Sequence, residues 1–243
     1  MRINRFLARA GVGSRRGVEA LVRDGRVTVN GERVGDLGRR VDPDHDEVRV
    51  DGRSVRPATS TRVLVLHKPV GVVSSLRRQG DAPCLLDVLE PSLATSGLFH
   101  VGRLDRESSG VLLLTDAGDL SQALLHPSRP VWKVYRVRTV QPVDPTTIDR
   151  WRHGGTRLDG RPLAPIRVGA DPGDPRRLRL ELREGRNRQI RRMVEAAGTR
   201  VDTLHRVAFG PVELGDLPPG ALRSVTPEED AALRSIRAAH GRD

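Results

Sequence analysis

The stretch Gly52-Arg53-Ser54-Val55-Arg56-Pro57-Ala58-Thr59-Ser60-Thr61 is small, polar and proline-containing, and it separates two parts of the sequence whose patterns differ. A chain interrupted in this way is expected to fold as a small N-terminal module over residues 1–50, a linker over 51–61 and a larger domain over 62–243. At 243 residues and 37% hydrophobic content it has the material for a real core. No run of about 18 apolar residues occurs, the length a membrane span would need. Met1-Arg2-Ile3-Asn4-Arg5 opens an amphipathic pattern and lacks the apolar core of a secretory signal. The expectation is a folded protein with no membrane partner, remaining in the cytoplasm.

In the small module Ile3, Phe6, Leu7 and Ala10 recur at helical spacing, and Gly11 and Gly13 break that helix. Ser14 is placed to N-cap a second helix carrying Val18, Leu21 and Val22, which Asp24-Gly25 ends. Residues 27–34 then alternate as a strand does, with Asn30-Gly31 as the tight turn of a hairpin. Residues 1–40 hold ten arginines against four acids. Arg2, Arg5, Arg9, Arg15 and Arg16 fall largely off the apolar stripe, so they form either one basic face for a polyanion or an ordinary solvated surface. Gly11, Gly13 and Gly17 do not make a dinucleotide loop, because the last spacing is one residue too long and no strand precedes them.

The whole chain carries a net charge of +11, which points to a polyanionic partner, RNA or DNA first, since phosphate contacts by basic side chains supply most sequence-independent affinity. Of its 42 basic residues only Lys68 and Lys133 are lysine. A GC-rich genome is the simplest cause of that bias, and it marks the two lysines as places where arginine fails. The lone Cys84 cannot form an internal disulfide, and with no second cysteine and no paired histidines no metal site is recognisable. Catalysis, if any, is therefore expected to be metal-free.

Beyond the linker, strand-like runs at 63–67, 72–75, 111–115, 131–140, 178–182 and 201–208 alternate irregularly with helical segments near 117–125, 145–152, 188–197 and 227–239. That order implies an α+β domain around a mixed or antiparallel sheet. Thr226-Pro227-Glu228-Glu229 is a capping box for the last helix, and Gly198 closes the one before it.

Three segments of this domain carry chemistry. Gly102-Arg103-Leu104-Asp105-Arg106 sets one acid between two arginines ahead of an apolar strand; an ionised carboxylate there can act as nucleophile or base, or Asp105 can be a turn residue. Trp132-Lys133-Val134-Tyr135 lies on a strand whose alternation puts Lys133 and the chain's only tyrosine on one face. Tyr135 there can stack a nucleobase or pack as a core aromatic. Glu184-Gly185-Arg186-Asn187-Arg188-Gln189-Ile190-Arg191-Arg192-Met193 runs into a helix whose start favours anions, giving a phosphate or carboxylate partner or a solvated basic face.

Together these segments resemble, in order and spacing, the motifs of the pseudouridine synthases typified by the ribosomal small-subunit enzyme A. His67-Lys68-Pro69-Val70-Gly71 resembles that family's Lys-Pro-x-Gly motif, with His67 where Asn is more usual. The run from Phe99 through Asp105 to Leu120 is similar to its catalytic motif, the segment from Leu125-His126-Pro127 to Tyr135 to its Lys-x-Tyr segment, and residues 188–193 to its third motif. Arg5–Leu7, Gly11, Ser14-Arg15 and Gly25–Gly31 resemble the small RNA-binding module named after ribosomal protein S-four. The resemblance implies an α+β synthase domain behind that module, and isomerisation of a uridine in RNA to its C-glycoside without cofactor or metal.

It further implies Asp105 as the catalytic carboxylate, attacking the base or the sugar or assisting glycal formation; Arg191 as its bidentate partner; and Tyr135 packed on the flipped uracil, placed to remove the C5 proton. Arg103 would enter the RNA stack in the uridine's place. Lys68, Lys133, Arg188 and Ile190 would support the pocket wall, the sheet or the RNA backbone, and Arg2, Arg5, Arg15 and Arg16 would contact RNA. Large-subunit rRNA or an assembling ribosomal particle is the expected partner of a monomer, with small-subunit rRNA, tRNA and a non-catalytic assembly factor as alternatives.

Overall fold

The structure is a computed structural model that describes residues 1–13, 15–57, 61–94 and 96–240, with only the backbone described for Arg15 and Arg16. Its residues gather into two units, one of residues 1–62 with 89–99 and 115–117, the other of 63–88, 100–114 and 118–243. The first unit thus takes in two short pieces that the expected boundary assigns to the larger domain.

The first unit opens with helices α1 (Ile3–Arg9) and α2 (Arg15–Arg23), then strands β1 (Val27–Val29), β2 (Glu32–Arg33), β3 (Val48–Val50) and β4 (Arg53–Val55), arranged in one sheet as β2-β1-β3-β4. Val29 pairs with Glu32 across Asn30-Gly31, whose φ angles of 52° and 85° are those of the expected tight turn. Ile3, Phe6, Leu7, Val18, Val22 and Val27 are fully or almost fully buried together. Ser14, expected to cap α2, lies outside the described residues. The linker proves shorter than expected, because Arg53–Val55 pairs with Val48–Val50 across a second tight turn at Asp51-Gly52. Polar, β-compatible residues at an edge leave no apolar period to read.

The larger unit is built on β5 (Val63–Lys68), the helical turn α3 (Pro91–Ala94) of the first unit intervening before β6 (Phe99–Val101), β7 (Ser109–Thr115), α4 (Gly118–Leu125), β8 (Lys133–Thr139) and α5 (Pro145–His153). Next come β9 (Arg157–Leu158), β10 (Arg161–Pro162), β11 (Arg167–Asp171), β12 (Asp174–Leu182), α6 (Gln189–Ala196), β13 (Val201–Phe209), β14 (Val212–Glu213), β15 (Leu222–Ser224) and α7 (Pro227–His240). The principal sheet runs β11-β12-β8-β13-β7-β5-β15, with β14 on β13 and β6 on β7. β13 pairs with β7 in parallel and with β8 antiparallel, so the sheet is mixed and the architecture α+β. The expected strand at 72–75 does not form. Val73 makes only an isolated bridge to Cys84, since Gly71 turns the chain at φ 88° and Ser75 donates back to the Val73 carbonyl.

Helix ends follow local chemistry. Asp144 caps α5 by accepting from Thr146 N at 2.8 Å, Pro145 follows it, and Gly154 at φ 79° stops the helix. The box at α7 is reciprocal: Glu229 N donates to Thr226 Oγ1 at 3.2 Å and Thr226 N to Glu229 Oε2 at 2.8 Å. Ile148 and Trp151 of α5 and Met193 and Val194 of α6 pack with Leu178, Leu180 and Val137 of the sheet. Tyr135 packs partly buried against that cluster, so α6 and the strand face carrying Tyr135 belong to one core.

Candidate active site

Asp105 sits in the turn between β6 and β7, and three contacts fix its backbone. Gly102 starts the turn at φ 67°. Ser74 clasps the preceding residue, its hydroxyl donating to Leu104 O at 2.8 Å and accepting from Leu104 N at 3.1 Å. Ser108 N donates to Asp105 O at 3.0 Å. The loop after β5 holds the other side: Gly71 N donates to Arg106 O at 2.8 Å and Arg106 Nε to Gly71 O at 3.2 Å. Ser74 was not singled out from sequence, since no local pattern links it to a residue 30 positions away.

Lys68 ties that loop together from inside. It is fully buried, and its ammonium donates to Pro69 O at 2.8 Å and Val72 O at 2.7 Å. Burial pushes it down to about 8, against the opposing attraction of Asp105 and Glu107. It shapes the loop beside Asp105 and presents nothing to an RNA phosphate, which corrects its expected place among RNA-binding residues. Lys133, buried on β8, likewise donates to Val131 O at 3.1 Å and Arg183 O at 3.2 Å, and burial pushes it down to about 8. It walls the cleft without offering a free ammonium.

The cleft itself, of about 150 Å³, is lined by Asp105, Tyr135, Arg103, Lys133, Arg188 and Ile190 among others. Six residues from three separate sequence segments thus meet in one hollow, which neither spacing nor periodicity alone requires. Tyr135 and Lys133 share it because strand alternation puts both on the face toward α6. Ile190 is buried in its wall, and Arg103 is exposed at its rim.

Arg191, with a side chain 8% exposed, stands behind Asp105: its Nε lies 3.8 Å from Asp105 Oδ2, an ion pair without a hydrogen bond. The expected bidentate pairing is not formed. Arg191 Nη2 instead donates to Glu107 O at 3.0 Å and Ser108 Oγ at 3.1 Å, which fixes the guanidinium and leaves the carboxylate, 30% exposed, open to the cleft. Arg188 Nη1 lies 3.9 Å from the same Asp105 oxygen and donates to Glu107 Oε2 at 2.9 Å. That hydrogen bond holds the Glu107 carboxyl below its usual range and raises Arg188. Glu107 was missed in sequence, yet it occupies the arginine that would otherwise crowd Asp105. Arg188 itself takes the left-handed conformation at φ 48°, uncommon for a side-chain-bearing residue, where the chain turns into α6.

A partly exposed carboxylate between two guanidiniums, sharing a small hollow with a tyrosine, can attack or deprotonate a substrate held there. Among the described residues no group of three His, Cys, Asp or Glu side chains is placed to hold a metal ion, and no helix is long and apolar enough to cross a membrane.

The RNA pseudouridylate synthase family matches residues 62–196 and the S4 domain residues 1–47. An RNA pseudouridine synthase of Mycobacterium leprae is 42% identical over 233 residues, 94% of this chain and 90% of the relative. Ribosomal large subunit pseudouridine synthase B of Bacillus subtilis is 35% identical over 246 residues, covering 100% of this chain and 98% of that protein. The crystal structure of a pseudouridylate synthase superposes with a TM-score of 0.68 at 29% identity, over 96% of this chain and 99% of that one.

Proposed function

We propose, for a chain that belongs to the RNA pseudouridylate synthase family and so isomerises uridine in RNA to pseudouridine, that its target lies in large-subunit ribosomal RNA and that Asp105 is its catalytic carboxylate. The observation that carries the second part is the open Asp105 side chain, held 3.8 Å from the fixed Arg191 guanidinium at a cleft it shares with Tyr135. The isomerisation breaks the bond from C1′ to N1, turns the uracil while it stays enclosed, joins C1′ to C5, and then takes a proton from C5 while N1 gains one. No atom is gained or lost overall. Asp105 supplies the carboxylate for the bond-breaking step, Arg191 keeps it aimed, and Tyr135 packs on the detached ring and takes the C5 proton.

The uridine must leave the stack, at a cost of a few kcal/mol, which stacking on the protein and filling of the vacancy offset. Arg103, exposed at the rim, fills that vacancy. Arg2, Arg5, Arg15 and Arg16 of the small module bind RNA phosphate. The substrate assignment draws on relatives named for the large subunit, from Bacillus subtilis and, at 39% identity over 60% of its length, Pseudomonas aeruginosa. The protein acts as a monomer in the cytoplasm, on free rRNA or an assembling particle.

Tritium release from rRNA transcripts labelled at uridine C5 tests both parts. Release from large-subunit transcripts by wild type, with a loss of at least about 1,000-fold in Asp105→Asn, is expected for removal of an essential catalytic group. Release from small-subunit rRNA or tRNA alone would move the target. Undiminished release by Asp105→Asn would remove the carboxylate from the chemistry, and no release by wild type from either rRNA or from assembled subunit particles would leave a non-catalytic RNA binder.

A further inference from the structure

Three buried donors around the cleft lack any hydrogen-bond partner: Gln189 Nε2, Arg191 Nε and Arg206 Nη2. Arg191 Nε faces Asp105 and is part of the catalytic arrangement. The other two have no task in it, and both side chains line the same cleft. An unsatisfied buried donor is costly enough that each one calls for a physical explanation, and a ligand acceptor is the simplest.

Their orientation is not accidental. Gln189 is 5% exposed, and its Oε1 accepts from Arg186 N at 3.1 Å, which fixes the carbonyl end of the amide and leaves the NH2 end unpaired. Arg206 is 3% exposed on β13; its Nε donates to Val111 O at 2.8 Å and its guanidinium carbon lies 5.0 Å from the centre of the Phe209 ring. Nε is thus spent on β7 and one face of the guanidinium on an aromatic ring, while Nη2 is buried without a partner. The two backbones meet closely there: a Cβ on Gly110 of β7 would lie 2.1 Å from the Arg206 carbonyl oxygen.

Uracil presents two carbonyl acceptors, O2 and O4, whereas cytosine replaces O4 with an amino donor. A donor set at each of these two positions suits the first ring, and at position 4 it would meet the amino group of the second. Resting on the uridine isomerase reading above, we propose that Gln189 Nε2 and Arg206 Nη2 receive the carbonyl oxygens of the flipped pyrimidine and so make the cleft select uridine over cytidine. A positive charge beside those oxygens also favours the electron density that moves onto them as the N1 bond breaks.

The test uses the Asp105→Asn full-length protein, in which nothing turns over, and a hairpin transcript spanning the site mapped by tritium release, carrying uridine or cytidine at that one position. Gln189→Glu keeps the acceptor for Arg186 N and removes the donor; Arg206→Lys keeps the charge and removes the second donor nitrogen. The expected result is a preference for uridine in the parent that falls about tenfold in each variant, with weaker binding of the uridine hairpin in both. Thermal unfolding checks each variant, and if Arg206→Lys does not fold, Gln189→Glu decides alone. An unchanged ratio in the folded variants, in a protein whose wild type releases tritium, overturns the pair and leaves the isomerase standing. Failure of the wild type to release tritium from any RNA overturns the isomerase reading, and the pair with it.

Discussion

Lys68 and Lys133 show at the scale of single residues why a chain that is otherwise uniformly arginine keeps two lysines. Each buried ammonium is compact enough to reach two backbone carbonyls inside the core, where a planar guanidinium with five donors would leave several unpaired. The consequence is a pH dependence of stability with a definite sign. Burial lowers Lys68 from 10.5 to about 8 in the folded state. Below pH 8 both folded and unfolded chains hold the proton, and the cost of the buried charge is present in full. Between about 8 and 10.5 the unfolded chain binds more protons, so stability rises with pH through that window. Full relief amounts to roughly 3 kcal/mol at about 1.4 kcal/mol per pKa step. Urea unfolding of wild type and Lys68→Met at pH 7.5 and pH 10 is expected to show wild type gaining on the variant by on the order of 1–3 kcal/mol as pH rises. A difference independent of pH would mean that the ammonium is not desolvated as described.

Between elements, the contact of β7 with β13 carries the most strain-sensitive position. Gly110 has φ 110°, and an added Cβ would stand 2.1 Å from Arg206 O and 2.6 Å from Arg206 N, all backbone that two strands hold in place. Gly110→Ala is expected to destabilise the fold by more than about 3 kcal/mol in denaturant unfolding, well above the usual surface substitution. A loss under about 1 kcal/mol would show that the strands can part there. The same pair of strands illustrates what sequence reveals. β7 and β13 are long and apolar or alternating, and α4, α5, α6 and α7 are bounded by caps and glycines, so all were legible within a residue or two. β9, β10, β14 and β15, of two or three residues, are too short to show any period, and β4 hides among polar linker residues. Asp105, Tyr135 and Arg191 were legible because each lies in a dense local run. Ser74, Glu107, Gln189 and Arg206 were not singled out, because their roles arise from partners brought together only by folding, such as Arg206 and Val111, 95 positions apart.

At the scale of the molecule, the net charge of +11 is a statement about salt. Binding of RNA releases condensed cations, so log K falls with log salt by about 0.7 to 0.9 for each phosphate neutralised. The exposed Arg2 and Arg5 of the small module and the exposed Arg103 and Arg106 beside the cleft are both basic, but they are assigned different work. If the module's arginines grip RNA backbone, Arg2→Gln with Arg5→Gln weakens binding to large-subunit rRNA transcripts and makes the salt slope shallower by about 1 to 2, while the rate of tritium release at saturating RNA stays unchanged. Arg103→Ala is expected to do the reverse, lowering the saturated rate through a poorer flipped state with a slope change of about 1 or less. An unchanged slope in the double variant would mark the module's arginines as a solvated face, and a loss of saturated rate there would mean that the module aligns the target as well as holding it.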